Sequence, residues 1–171
     1  IEAYLGLSRT YFKLGDLQSA YENIIKATVI DEPMPLFWNL RAVRLHEQGY
    51  GQLSRFLTNH LLKVNPDEPA YYINKALLNV FEDDYSEALS AILLGLEKTK
   101  KDSQKALLFY FKGLFQLLDG NEEDGLHDFE FALMLDKDEY NNPLLQSELN
   151  SMENASLDAL LLRYNLRKDL I

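Results

Sequence analysis

The residues of this chain that could do chemistry are histidines and carboxylates, because the 171-residue sequence contains no cysteine. Without a thiol there is no disulfide, no thiolate zinc site and no cysteine nucleophile. The three imidazoles are His46, His60 and His127, and no two of them have the three- or four-residue spacing of a helix-borne metal site. We therefore expect no metal site, and we interpret each histidine as a surface or interhelix residue.

The acidic stretch from Asp119 to Asp128 is the other candidate for a metal site. It includes Glu122, Glu123 and Asp124, but it lacks the alternating ligands and the closing Glu of a calcium loop. The stretch is more typical of a turn followed by the first turn of a helix, where the helix dipole favours carboxylates. There is also no glycine-rich phosphate loop, and no serine has a base at a spacing that indicates a nucleophile. The sequence thus predicts a protein that is not an enzyme and that has no cofactor.

The charge balance narrows the classes of partner. Lys and Arg total 17 against 27 Asp and Glu, for a formal net charge of −10, which is the wrong sign for following a phosphate backbone. The longest apolar run, residues 106–118, is interrupted by Lys112 and is shorter than the roughly 20 residues of a membrane span. We expect no nucleic acid, no membrane span and a soluble protein, with the cytoplasm and the periplasm both left open as compartments. Because a helical pattern is already under way at Ile1, we also expect a processed or excised piece of a longer chain.

The elements that carry these residues are indicated by an internal repeat. At an offset of 34 the aromatic residues Tyr4, Trp38 and Tyr72 coincide, and Phe109 follows after 37. Each copy continues with a small residue, a turn residue, a second small residue and a further site seven positions later. In this order the positions are Ser8, Ala42, Ala76 and Gly113; Gly15, Gly49, Asp83 and Gly120; Ala20, Ser54, Ala88 and Gly125; and Ala27, Leu61, Gly95 and Ala132.

Each copy is predicted to form two helices joined by a tight turn. Apolar residues recur at helical spacing, so each helix has one face to bury, and the small residues mark where two helices come close. A single helical hairpin cannot bury these faces alone, whereas stacked hairpins share a continuous core. In the second copy we expect the second helix to turn Leu53 and Leu57 inward. The three extra residues before Phe109 are assigned to a polar loop, residues 97–104.

This pattern resembles the tetratricopeptide repeat, a helix-turn-helix unit of 34 residues. The first copy matches most fully, with Tyr4, Leu7, Tyr11 and Ala20 at the family's positions and Pro33 one place late. The resemblance implies an all-α fold, in which four such repeats form a right-handed superhelix within a single domain. Their bounds are residues 1–34, 35–68, 69–104 and 105–139, followed by one or two C-terminal capping helices at residues 143–170.

The resemblance also implies where a partner would bind. In this family the first helix of each copy lines a concave groove that holds an extended peptide or a helix. Polar groove residues would anchor polar or acidic groups of the partner, while apolar ones would receive its apolar side chains. A simpler interpretation, which we favour, is that the terminal helices fill the apolar end of the groove. The candidate groove residues are Arg9, Lys13, Asn39, Val43, His46, Ile73, Asn74, Leu77 and Phe81.

These expectations predict a non-catalytic protein-protein interaction module, which acts as a scaffold, an adaptor or a chaperone and binds another protein. The alternative is a regulatory or oligomerisation segment of a larger enzyme or of a secretion or assembly machine, with self-association left open. Some members of the family bind the acidic tails of heat-shock chaperones through a clamp of Lys, Asn and Arg side chains. We do not expect this ligand here, because only one of the five matching residues is basic. These residues are Leu5, Arg9, Leu40, Ala70 and Asn74.

Overall fold

The computed structural model describes residues 1–30 and 35–135, and within these ranges every regular element is a helix. The fold class is therefore all-α, as predicted. In the same ranges no helix combines the length and the hydrophobicity that a bilayer crossing requires. The predicted terminal helices at residues 143–170 lie outside the described residues, as does Pro33. The described helices are α1 (Glu2–Lys13), α2 (Leu17–Ile30), α3 (Pro35–Glu47), α4 (Gly51–Val64), α5 (Pro69–Val80), α6 (Tyr85–Lys98), α7 (Asp102–Leu118) and α8 (Glu122–Leu135).

The same backbone turn joins the two helices of every hairpin. The residue at its centre, here called the pivot, has a positive φ. It falls on each of the four predicted turn positions, with values of 81° at Gly15, 84° at Gly49, 59° at Asp83 and 88° at Gly120. At each turn the pivot N–H donates to the carbonyl three positions back, and the next N–H donates to the carbonyl five positions back. This pair of bonds is the Schellman motif, which satisfies carbonyls at a helix end. Glycine adopts the left-handed backbone without a Cβ penalty, and Asp is among the few other residues that tolerate it.

Small residues lie where the two helices of a hairpin meet, as predicted. The six residues Ser8, Ala20, Ala42, Ser54, Ala76 and Ala88 are at most 1% exposed. The closest approach is between α7 and α8, because a Cβ on Gly113 would lie 2.6 Å from the Gly125 carbonyl oxygen. In the second hairpin the Ser54 hydroxyl donates to the Ala42 carbonyl at 2.6 Å. The size of these side chains therefore sets the distance between the helices.

Two clusters of buried side chains form the core. Among the described residues, the first is formed by α1 to α4 together with one residue of α5 and contains Trp38, and the second is formed by α5 to α8 and contains Phe115. Leu53 and Leu57 are both 0% exposed in the first cluster, which confirms that α4 turns them inward. Tyr71 belongs to the first cluster and the next residue, Tyr72, to the second. Helix α5 therefore connects the two halves.

The polar loop predicted at residues 97–104 is wrong in its extent. Helix α6 continues to Lys98 and α7 begins at Asp102, so only three residues lie between them. The extra residues of this copy belong instead to α7, which has 17 residues where α1 and α5 have 12. Asp102 suits the positive end of the helix dipole, and the Lys105 ammonium lies 3.9 Å from its carboxylate, so both residues favour the added turn.

Successive hairpins pack unequally. Helix α5 packs against α3 and α4, and Arg55 of α4 fastens this junction by donating to Asn79 Oδ1 at 3.0 Å and to Glu82. The first hairpin contacts the second mainly through α2 and α4, whereas α3 comes less close to α1 and α2. As a result Phe37 and Leu40 of α3 remain 50% and 59% exposed. The wider spacing leaves a cleft between α1 and α3.

Candidate binding surface

The α1–α3 cleft is the depression lined by α1 on one side and by α3 with its following turn on the other. Its open part has a volume of about 630 Å³, and a narrower part of about 40 Å³ continues between the helices. Cationic and hydrogen-bonding side chains supply most of its lining. These polar and cationic side chains include Arg9 and Lys13 of α1, Arg41, Arg44 and Gln48 at the α3 side, and Tyr50 of the turn.

Helical spacing brings these side chains to one place. Arg9 and Lys13 are four residues apart and share a face of α1. Arg41 and Arg44 of α3 and Gln48, the first residue after this helix, follow at intervals of three and four. Two contacts bridge the cleft. The Arg9 guanidinium donates to Gln48 Oε1 at 3.0 Å, and Arg41 Nε lies 3.5 Å from a Glu2 carboxylate oxygen. Both helices therefore aim polar groups at the space between them.

The charge in the α1–α3 cleft is positive although the whole chain carries −10. Four cationic side chains and one carboxylate line the cleft. The partner of Arg9 is the neutral Gln48, and the Lys13 ammonium lies 5.9 Å from the Tyr50 ring centroid. Arg44 is exposed and makes no ion pair within the described part of the chain. Most of the positive charge is therefore left without a neutralising carboxylate.

The groove residues predicted on α3 and α5 lie beside the cleft, along the contact between these two helices. The His46 ring stacks on the Phe81 ring with centroids 5.0 Å apart. Asn39 donates to the Ala70 carbonyl at 2.6 Å. Val43 and Leu77 are half-buried. Leu77 also packs against the core cluster that contains Phe115. All five side chains are partly buried and present only part of their surface outward.

Two predicted groove residues lie inside the protein. Ile73 is 5% exposed and Asn74 is 0% exposed. The Asn74 amide donates to the Thr58 hydroxyl oxygen at 2.6 Å, so this side chain faces α4 and not a partner. Of the nine predicted residues, the structure thus places Arg9 and Lys13 in the α1–α3 cleft, five along the α3–α5 contact and these two in the interior.

Sequence reasoning missed the α3 side of the cleft. Arg41, Arg44, Gln48 and Tyr50 were not among the predicted groove residues. One signal was present, because Arg41 occupies the position at which the repeat pattern expects a leucine. In the structure the Arg41 guanidinium lies over the Trp38 ring, 5.0 Å from its centroid, and its Nε lies 3.5 Å from Glu2 at the cleft, so the cation is held between an aromatic face and a carboxylate.

The other histidines and carboxylates that the sequence singles out contribute to packing or to helix ends. His60 lies between α2 and α4, where its Nε2 is 3.1 Å from the Thr28 hydroxyl. Burial, and to a lesser degree the charge of Lys63, lowers the pKa of His60. Glu122, Glu123 and Asp124 form the acidic first turn of α8, as predicted. Within residues 1–30 and 35–135, no three His, Asp or Glu side chains are grouped so that they could hold a metal ion.

Comparison with known proteins adds no relationship to this geometry. No family model matches the chain, and no curated protein matches it. What this surface binds is therefore inferred from its chemistry. It is a cationic cleft bordered by partly exposed apolar and aromatic side chains.

Proposed function

We propose that this chain is a non-catalytic interaction module of the tetratricopeptide type, which binds a peptide or a helix of another protein. The observation that carries the proposal is the recurrence of one turn at Gly15, Gly49, Asp83 and Gly120. Each turn has the same pair of hydrogen bonds and is flanked by buried small residues. This recurrence supports a stack of equivalent hairpins, and we extend it to a right-handed superhelix.

A stack of hairpins acts mainly through its surface. Repetition of one unit produces a long face made of equivalent helices, and such faces bind extended segments of other proteins. Here the first helices of three successive hairpins, α1, α3 and α5, supply both the α1–α3 cleft and the α3–α5 contact beside it. We place the binding surface on these helices, with the module acting as a scaffold or an adaptor.

The test is selection of binding peptides followed by mapping. A random library of displayed 16-residue peptides would be selected against the full chain, and the enriched peptides measured by fluorescence anisotropy. Hydrogen–deuterium exchange with a bound peptide should then show protection concentrated in α1, α3 and α5. Protection confined to α2, α4, α6 and α8, or a library from which nothing is enriched, would contradict the proposal.

A second candidate function, oligomerisation within a larger assembly, is favoured by apolar residues at the ends of two outer helices. Ile30 and Val64 lie 34 positions apart, close the second helices of the first two hairpins, and are 57% and 61% exposed. Contiguous exposed apolar patches mark contact surfaces, and stacking of the hairpins would bring these two equivalent residues next to each other. Sedimentation velocity at increasing concentration tests this function. We expect self-association that Ile30→Asp with Val64→Asp abolishes.

A further inference from the structure

We propose that the α1–α3 cleft binds an acidic amphipathic segment of the partner, with carboxylates against Arg9, Lys13 and Arg44 and apolar side chains against Phe37 and Leu40. This inference rests on the proposed function and specifies the chemistry of its partner. It is carried by two independent features of α3, which are an uncovered face and an uncompensated charge.

The uncovered face of α3 is visible by comparison with the other hairpins. Phe37 and Leu40 are 50% and 59% exposed, whereas the residues at the same places in α5, Tyr71 and Asn74, are each 0% exposed. In α5 this face packs against α4 of the preceding hairpin, as the Asn74 contact with Thr58 shows. Helix α3 has less contact with the preceding hairpin. Within residues 1–30 and 35–135 this face therefore stays largely exposed, and we assign it to a segment from another molecule.

Arg44 continues the same face of α3 into the cleft. It follows Phe37 and Leu40 at helical intervals, so that one surface passes from apolar to cationic side chains along a single helix. Its counterpart in α5, Leu78, is 1% exposed. A bound segment therefore meets aromatic and aliphatic groups at one end of α3 and positive charge at the other.

The cations in the α1–α3 cleft favour carboxylates as the anionic groups of the partner. Guanidinium groups donate paired hydrogen bonds that match a planar carboxylate. A nucleic acid would bring its phosphate backbone against a chain of net charge −10, which repels a long polyanion. A short acidic segment responds mainly to charges within about 8–10 Å, the screening length at physiological salt. In the lining of the cleft those charges are four cations against the single carboxylate of Glu2, so the field there stays positive.

The experiment uses the peptides selected from the random library on the full chain. The enriched peptides are expected to contain Asp or Glu beside apolar residues, to bind at least about tenfold more weakly after their Asp and Glu are changed to Asn and Gln, and to lose affinity as salt is raised. The decisive variant is Lys13→Glu with Arg44→Glu, because both side chains are exposed. We expect it to weaken binding at least about tenfold.

A matched control carries the same change in net charge away from the cleft. Lys26→Glu with Lys100→Glu alters two exposed lysines, one on α2 and one between α6 and α7, and should leave the affinity within about twofold. A second variant, Leu40→Ser, should weaken the same peptides with little effect on their salt dependence. Equal weakening by the cleft variant and its control would overturn the assignment of the site.

The outcomes separate this inference from the proposed function. Enrichment of peptides without acidic residues would overturn the inference and leave a peptide-binding module. Failure to enrich any peptide would overturn both. Sedimentation velocity of the unmodified chain is run in the same buffer, and association abolished by Lys13→Glu with Arg44→Glu would assign the cleft to a second copy and overturn the peptide partner.

Discussion

The α7–α8 hairpin and the α1–α3 cleft show two ways in which helices of this chain face each other. In the hairpin, Gly113 and Gly125 allow the backbones to meet so closely that a Cβ at either position would lie within 3 Å of the other residue's carbonyl oxygen. At the cleft, the long side chains of Arg9 and Gln48 span the distance between α1 and α3. Side-chain size therefore decides which helix pair is core and which is surface.

A second difference concerns one repeat position that holds a cation in both regions. Arg41 of α3 and Lys112 of α7 occupy equivalent places, where the pattern expects leucine. The Lys112 ammonium lies 2.9 and 2.7 Å from the two carboxylate oxygens of Asp128, which is 5% exposed. Among the described residues, the carboxylate that pairs with Arg41 is that of the exposed Glu2, at 3.5 Å. A cation at this repeat position thus neutralises a buried carboxylate in one region and leaves positive charge beside the cleft in the other.

The largest expected effect comes from breaking the ion pair inside the packed region. Lys112→Met should lower the free energy of unfolding by about 3 kcal/mol, because Asp128 would remain buried without its cation. Urea unfolding followed by circular dichroism measures this difference. The control is Lys105→Met, since Lys105 lies 3.9 Å from an exposed Asp102 and exposed pairs contribute about 1 kcal/mol or less. Equal losses for the two variants would contradict the distinction between the regions.

The next effect compares one glycine from each region. Gly113→Ala should cost about 1–3 kcal/mol, because the new methyl group would overlap the Gly125 carbonyl and force α7 and α8 apart. Gly6→Ala in α1 should instead stabilise the protein by about 0.5–1 kcal/mol, because nothing lies within 4 Å of the added Cβ and alanine favours a helix. The same unfolding assay applies to both. Effects of the same sign would contradict the difference in packing between α1 and α7.

Local chemistry explains which parts of the fold the sequence predicts. A turn with positive φ favours glycine, so Gly15, Gly49 and Gly120 directly mark three of the four turns within the hairpins. Close helices need small residues, so Ala20 or Gly125 can be recognised by spacing alone. The boundary at Asp102 was missed because polar residues such as Lys101 suit both a loop and the first turn of a helix.

Tertiary spacing explains why the candidate site was predicted only in part. Arg9 and Lys13 could be found by projecting one helix face, but the α3 side of the cleft depends on how far the first hairpin stands from the second. No local pattern encodes that distance. The projection also placed Asn74 in the groove. Thr58 was a sign that a polar partner lies inside, because the same repeat position holds Ile24, Ile92 and Phe129 in the other copies.

A smaller effect tests the contact between α2 and α4 that joins the first two hairpins. Folding lowers the pKa of His60 below its ordinary value of 6.5, so the unfolded chain binds more protons in this range. The stabilisation is complete above the ordinary pKa and is lost as the pH falls through it toward the folded value. The free energy of unfolding should therefore decrease from about pH 7.5 to about pH 5.5, and His60→Gln should reduce that decrease.

The control for the pH effect is His127→Gln, because His127 is exposed on α8. This variant should retain the pH dependence of the unmodified protein, whereas His60→Gln keeps a group that can bond to Thr28 without titrating. If both variants behave alike, the acid sensitivity arises from other groups and the α2–α4 contact does not depend on the protonation of His60.

The variant with the smallest expected change in stability removes the cation that α3 presents at the cleft. Arg44→Ala should change the free energy of unfolding by no more than about 0.5 kcal/mol, because Arg44 is exposed and surface substitutions of this kind are close to neutral. The same variant should weaken the selected acidic peptides in the anisotropy assay. A stability loss near that of Gly113→Ala would mean that the cation holds α3 in place, and the cleft would then belong to the packing of the hairpins. Unchanged stability with weakened binding separates the two roles, since only a side chain presented to a partner affects affinity without affecting the fold.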